Sequence, residues 1–171
     1  MDIFECIENR RSIRKFEKCE ISDKEITKIL KAGAAAPSAC NIQPWKFIVI
    51  KDENIKNLIV ESSVKQTFIA DASVVIAIIA NLKEAGKKYE KRGRELYSIQ
   101  DTAAAVQNMM LASYALGYGT CWIGAFDENE IKKILKLKEE ERPMAILPIG
   151  KPSENPVKPK KKNLEEIVEY L

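Results

Sequence analysis

No histidine occurs anywhere in the 171 residues. That absence removes Ser-His-Asp and Cys-His nucleophile systems, histidine-ligated metal sites and histidine acid–base pairs. Cysteine is sparse: Cys6, Cys19, Cys40 and Cys121 are scattered, with no C-x-x-C spacing and no secretory signal ahead of them. Neither a zinc site nor a disulfide framework is expected, and a reducing cytoplasm is the expected compartment. Long apolar runs are missing too, since the longest, Ala72 to Ala80, has about half the length of a membrane-spanning helix. Nor does one sign of charge dominate: 28 basic residues face 25 acidic ones, too even a balance for a protein that coats nucleic acid. An enzyme of this composition is expected to take its reactive atoms from a bound cofactor.

What is present suits one globular domain, residues 1–171, long enough to bury about 70% of its unfolded surface without disulfide or metal staples. Ile3, Phe4 and Ile7 mark one face of a helix over residues 2–9, ahead of the basic run Arg10 to Lys15. Ser22 with Glu25 is a capping box that opens a helix, and Pro37 predicts its end near Ala35. Residues 45–50, 73–80 and 142–149 read as strands, the first two so continuously apolar that both faces should be covered. Residues 118–123 are a further strand candidate. Residues 54–62 read as a short helix, and Asp127 with Glu130 opens another that runs to Leu135. Residues 98–116 form a long helix apolar on almost every side, stopped by Gly117 and buried in the fold or at a subunit interface. The charged, glycine-punctuated stretch 83–94 reads as a mobile surface segment. Residues 151–171 form an extended basic tail, with a last strand expected near 164–170 and a second subunit as its docking surface.

Three stretches carry the chemistry. Arg10, Arg11, Ser12 and Arg14 place three guanidiniums and a hydroxyl within five residues, which suits the gripping of a phosphate; a solvated basic turn is the plain alternative. Residues 36–45, APSACNIQPW, offer amide side chains able to match a heterocycle's edge, or form simply a turn-rich loop. Cys40 has no histidine to activate it and is read as lining. Residues 117–126, GYGTCWIGAF, lack the glycine that a dinucleotide loop needs where Trp122 stands, and run from helix to strand, the reverse of that motif's context. Gly124 and Ala125 can instead bring backbone N–H groups close to a ring.

Together with DTAAAVQN at 101–108 and the basic tail, these pieces resemble the nitroreductase-like family of FMN-dependent oxidoreductases over nearly the whole chain. The resemblance implies an α+β fold: an α/β/α sandwich on a mixed, mostly antiparallel sheet. It also implies a homodimer with two FMN molecules at the subunit interface and exchanged C-terminal segments. Arg10, Ser12 and Arg14 match positions that contact the FMN phosphate, ribityl chain and pyrimidine edge, and Arg11 is the second residue of that signature. Pro37, Ser38, Asn41 and Gln43 match the loop that lines the flavin of the other subunit. Trp122, Ile123, Gly124 and Ala125 match the stretch that faces the ring, and Gln66 is a further candidate for its pyrimidine edge. Where relatives use a tail arginine for the phosphate, this chain offers Lys160 and Lys161. The implied activity is ping-pong transfer of electrons from NADH or NADPH to a small electron-poor acceptor such as a nitroaromatic or quinone. Flavin-fragmenting, dehalogenating and azoline-oxidising relatives, and a flavin sensor or carrier without turnover, are the alternatives. No nucleic-acid or membrane partner is expected.

Overall fold

The computed structural model describes residues 2–171. Helix α1 (Ile3–Asn9) opens on a capping box between Asp2 and Glu5, and α2 (Asp23–Ala34) opens on the one formed by Ser22 and Glu25. Ala35 caps α2, two residues before the proline that predicted its end. Strand β1 (Phe16–Glu17), too short to carry a periodic signal, lies between them. Then follow β2 (Trp45–Ile50), α3 (Glu53–Ser62), the single turn α4 (Phe68–Asp71) and β3 (Val74–Asn81). The second half comprises α5 (Leu82–Arg92), a π-helical turn at Gly93–Tyr97, α6 (Ser98–Ala115), β4 (Gly119–Thr120), α7 (Glu128–Ile134) and β5 (Glu141–Pro152).

The strands form one sheet in the order β1-β5-β3-β2, with β4 also pairing β5, and every one of these pairings is antiparallel. The one parallel element among the described residues is a bridge between Ser12 and Thr120. Alternation along β3 sends Val74, Ile76 and Ile78 to one face, where they pack with Ile26 and Ile29 of α2 and Val106 and Met109 of α6. Val75, Ala77 and Ile79 face the other way, onto Ile59 of α3, Ile69 of α4 and Ile131 of α7. The sheet is thus sandwiched between two helical layers, and each fully buried isoleucine contributes about 1.5–3 kcal/mol.

Four expectations need correction. β2 is an edge strand whose faces are only partly covered, because β3, paired on both sides, takes the central place. The charged stretch 83–94 is helical: Asn81 Oδ1 accepts from Glu84 N at 3.0 Å, and Ala85 and Gly86 are buried while the charges occupy the solvated face. Its glycines mark close packing, since a Cβ on Gly93 would stand 2.0 Å from the Ala85 carbonyl oxygen. Only Gly119 and Thr120 of residues 118–123 form a strand, with Ile123 bridged singly to Ile146. The last segment forms a 3-10 turn at Leu164–Glu166 with exposed flanks rather than a strand. The apolar stripe of α1 is likewise uncovered, Phe4 being 74% exposed.

Candidate functional site

The basic run lies against β4. Ile13 N donates to Thr120 O at 2.9 Å beside the Ser12–Thr120 bridge, and Gly119 leaves room for this approach, since a Cβ there would meet Ile13 at 2.7 Å. Arg10, Arg11, Ser12 and Arg14 then line a cavity of about 430 Å³ together with Pro156, Val157, Lys158, Pro159 and Lys161 of the tail, which folds back over them. Lys161 therefore joins the cluster, whereas Lys160 stands outside the lining.

The roles of the three arginines differ. Arg11 Nη1 donates to the carbonyls of Glu8 (2.7 Å) and Arg10 (2.8 Å), closing the C-terminus of α1. Arg14 N donates to Glu154 Oε1. Arg10 is half-buried, and its Nη1 has no hydrogen-bond partner among the described residues. Burial first, and then the Arg11 charge, holds the Arg10 guanidinium below its ordinary value. A buried cationic donor without an acceptor is costly, so the cradle is chemically matched to an anion. The residues fit a phosphate: the nearby Glu8 carboxylate is already taken by Lys158 at 2.6 Å and Glu154 by the Arg14 amide. Burial pushes the neighbouring Cys121 thiol up, against the pull of Arg14, Ser12 and Arg10, so it remains a neutral wall.

The stretch after β4 alternates. Cys121 and Ile123 are buried, while Trp122, Gly124 and Ala125 are exposed. Ile123 spends both its N–H and C=O on Ile146, each at 3.0 Å. The N–H groups of Gly124 and Ala125 enter no backbone hydrogen bond and are the amides left to meet a ring. Gln66 Nε2 donates to Ser63 O at 3.0 Å and, weakly, to Ala125 O at 3.5 Å, which sets its loop beside this stretch.

The loop at 36–44 is built from strained backbone. Cys40, Asn41 and Gln43 all adopt positive φ, between 51° and 54°, a conformation that costs non-glycine residues energy and persists only when surroundings enforce it. Three contacts enforce it: Ala39 N donates to Asp101 Oδ1 (3.0 Å), Gln43 N to Ser38 Oγ (2.9 Å) and Gln43 Nε2 to Asn41 Oδ1 (3.0 Å). Pro37 is exposed at its start. Burial raises the Asp101 carboxyl, partly offset by the Ala39 amide. Cys40 Sγ lies 3.1 Å from Tyr89 Oη, and that hydrogen bond, followed by Lys88, draws the thiol below its ordinary value.

One chain does not bring the loop to the cradle. Trp45, which follows the loop, pairs with Ala80 opposite Arg142, whereas Thr120 pairs with Ile149. Seven residues of β5 separate these levels, about 23 Å at the rise of a strand. Helix α6 gives a second ruler: Asp101 pins the loop, and Tyr114, thirteen residues on, lines a smaller cavity beside Arg10, about 20 Å along a helix. The two halves of the candidate site therefore lie at opposite ends of the molecule.

Sequence reasoning passed over Lys158, Glu154, Thr120 and Pro156 as site residues. Lys158 was one cation among several in an aperiodic tail, and its contact with Glu8 spans 150 positions. A larger cleft of about 750 Å³ between Lys18, Lys51, Glu20 and Asp71 carries both signs of charge. Its buried Lys56 is spent on the carbonyls of Ala70 and Ala72 at the end of α4. No described helix is long and apolar enough to cross a membrane.

An antiparallel sheet between helical layers, with an anion cradle at one end and a strained amide loop at the other, defines a class of α+β binding domain. Comparison narrows the class. The Nitroreductase family model matches residues 7–66 and 56–151, and the chain belongs to that family. A Methanothermobacter thermautotrophicus protein named as an NADH dehydrogenase/NAD(P)H nitroreductase is 33% identical over 91% of this chain and 80% of its own. The crystal structure of a nitroreductase family protein from Clostridium novyi is 36% identical, with a TM-score of 0.82 over 97% of this chain and 91% of that one. A nitroreductase-fold protein from Exiguobacterium sibiricum, solved in complex with FMN, shares the fold at a TM-score of 0.88, with 24% identity over 100% of this chain and 98% of that one.

Proposed function

We propose that the protein is an FMN-dependent NAD(P)H oxidoreductase that works as a homodimer and reduces a small electron-poor acceptor such as a nitroaromatic or quinone. The observation that carries this reading is the buried, unpartnered Arg10 Nη1 in a cradle that also holds Arg14, Lys158 and Lys161. Family membership and the relatives' names support the reaction class. When bound, the isoalloxazine supplies the redox chemistry, accepting a hydride and passing electrons on.

The chain's own residues do the rest. Arg10 and Arg14 neutralise the phosphate, with Ser12 beside them and Lys158 and Lys161 closing the cavity from the tail. Lys161 acts as a point charge where an arginine would grip with two donors. The free amides of Gly124 and Ala125 face the ring and favour negative charge there. Ser38, Asn41 and Gln43 reach the same ring from a second chain, which answers the separation of some 20 Å within one chain. Such a dimer also gives the uncovered stripe of α1 and the tail a surface to dock on. No side chain need hold or release a proton at the reacting atoms, in keeping with a chain devoid of histidine.

The test is direct. Protein purified with FMN should be yellow and dimeric, and NADH or NADPH should bleach it rapidly without oxygen. A colourless monomer after incubation with excess FMN would end this reading, and a yellow protein bleached only slowly would make it a carrier.

A further inference from the structure

The segment beside the strained loop carries an aromatic pair and a cation with no carboxylate partner among the described residues. Helix α5 leaves helical geometry at Tyr89 (φ −120°) and Glu90 (φ 43°), and Tyr89 Oη sits 3.1 Å from Cys40 Sγ. Tyr97 meets Tyr89 edge to face, with ring centroids 5.0 Å apart and planes at 88°. Three nearby cations are engaged. Lys87 pairs with Glu84 at 2.5 Å, Lys91 faces Glu95 at 3.9 Å, and Arg92 lies over Tyr97 with Nε donating to its hydroxyl. Lys88 has no carboxylate within ion-pair distance among the described residues. Its ammonium stands 5.9 Å from the Tyr89 ring centroid and beside Cys40.

The geometry points to Lys88 as a specificity-determining residue that selects acceptors bearing an anionic substituent on an aromatic ring, of the nitrobenzoate class, with Tyr89 offering the ring its apolar surface. This rests on the proposed function, in which the loop at 36–44 lines the flavin: Tyr89 ties α5 to that loop, so Lys88 would stand beside the ring that the loop lines. A neutral opening would treat charged and uncharged acceptors alike. An ammonium that lacks a carboxylate partner and stands over the Tyr89 ring does not, because it attracts the carboxylate while the acceptor's ring meets the tyrosine. Lys88 is exposed, so the discrimination is modest and sensitive to salt.

The probes are 4-nitrobenzoate and 4-nitrobenzamide, alike in ring and nitro group and different in charge. Each is titrated into oxidised, FMN-loaded protein without reductant, for the wild type, Lys88→Glu and Lys88→Arg. The wild type should bind the benzoate about three- to fivefold more tightly than the amide. That preference should vanish or reverse in Lys88→Glu, survive in Lys88→Arg and fade at about 0.5 M salt. In turnover the change should fall on KM rather than kcat. The same preference in all three proteins would overturn the inference and leave the proposed function standing. An effect of Lys88→Glu confined to the choice between NADH and NADPH would also overturn it, the cation then serving a nucleotide phosphate. A wild-type protein that takes up no FMN would instead refute the proposed function, and this inference with it.

Discussion

Replacing Arg10 by Met should push the free and the flavin-bound protein in opposite directions. Arg10 Nη1 is buried without a partner, and both burial and Arg11 disfavour its charge. Leaving such a donor unsatisfied costs about 1–3 kcal/mol, which methionine removes while it retains much of the aliphatic packing. The free protein should therefore melt no lower than wild type, and up to several degrees higher. With FMN the sign reverses. One charge-assisted hydrogen bond to a phosphate is worth about 1.5–3 kcal/mol, so the dissociation constant should rise about 10- to 100-fold. At fixed excess FMN the stabilisation by ligand falls by the same energy, about 3–12 °C in Tm for a domain of this size. Thermal melts with and without FMN, and fluorescence titration of the flavin, give both quantities. Equal losses of Tm in the two forms would make Arg10 a packing residue, and an unchanged dissociation constant would place the phosphate elsewhere.

Two other substitutions probe the frame of the site. Gly93→Ala gains about 1 kcal/mol of helix propensity, yet its Cβ would meet the Ala85 carbonyl oxygen at 2.0 Å, a backbone atom that cannot swing away. Overpacking of about 1–3 kcal/mol should win and lower Tm by several degrees; a higher Tm would show that α5 slides freely over the π-helical turn. Glu141 accepts from Lys46 Nζ at 2.9 Å and Lys138 N at 3.0 Å, and these bonds hold its carboxyl below the ordinary 4.5. Its contribution is full above pH 4.5 and is lost as the pH falls through the depressed folded value. Glu141→Gln should therefore cost about 1 kcal/mol at pH 7, discounted for the half-exposed Lys46. The difference from wild type should close in acid, and a gap in Tm that persists at pH 3 would contradict the assignment.

How much of this was legible in the sequence depends on range. Caps were readable because a capping box lies within four residues, and Ser22 with Glu25 behaves as expected. Unbroken apolarity told that β3 is buried on both faces, but nothing local told that β2, with a similar pattern, sits at the edge. Residues 83–94 misled because charge density reports which face meets water and not whether the backbone is helical. The cradle was legible as a cluster, since Arg10 to Arg14 are consecutive. Of its tail lysines only Lys161 was legible, with Lys160 beside it, because an extended segment has no period from which to tell Lys158 and Lys161 from Lys160. The opposite placement of cradle and loop was beyond local reading, as it follows from register: Trp45 at the level of Arg142 and Thr120 at that of Ile149.

In the proposed dimer, that register makes folding and competence separate events. On the proposed homodimer reading, a lone chain can complete its core and cap its helices, yet hold only two half-sites some 20 Å apart. What limits such a molecule when it is scarce is encounter, so dilution alone would silence a population in which every copy is perfectly folded.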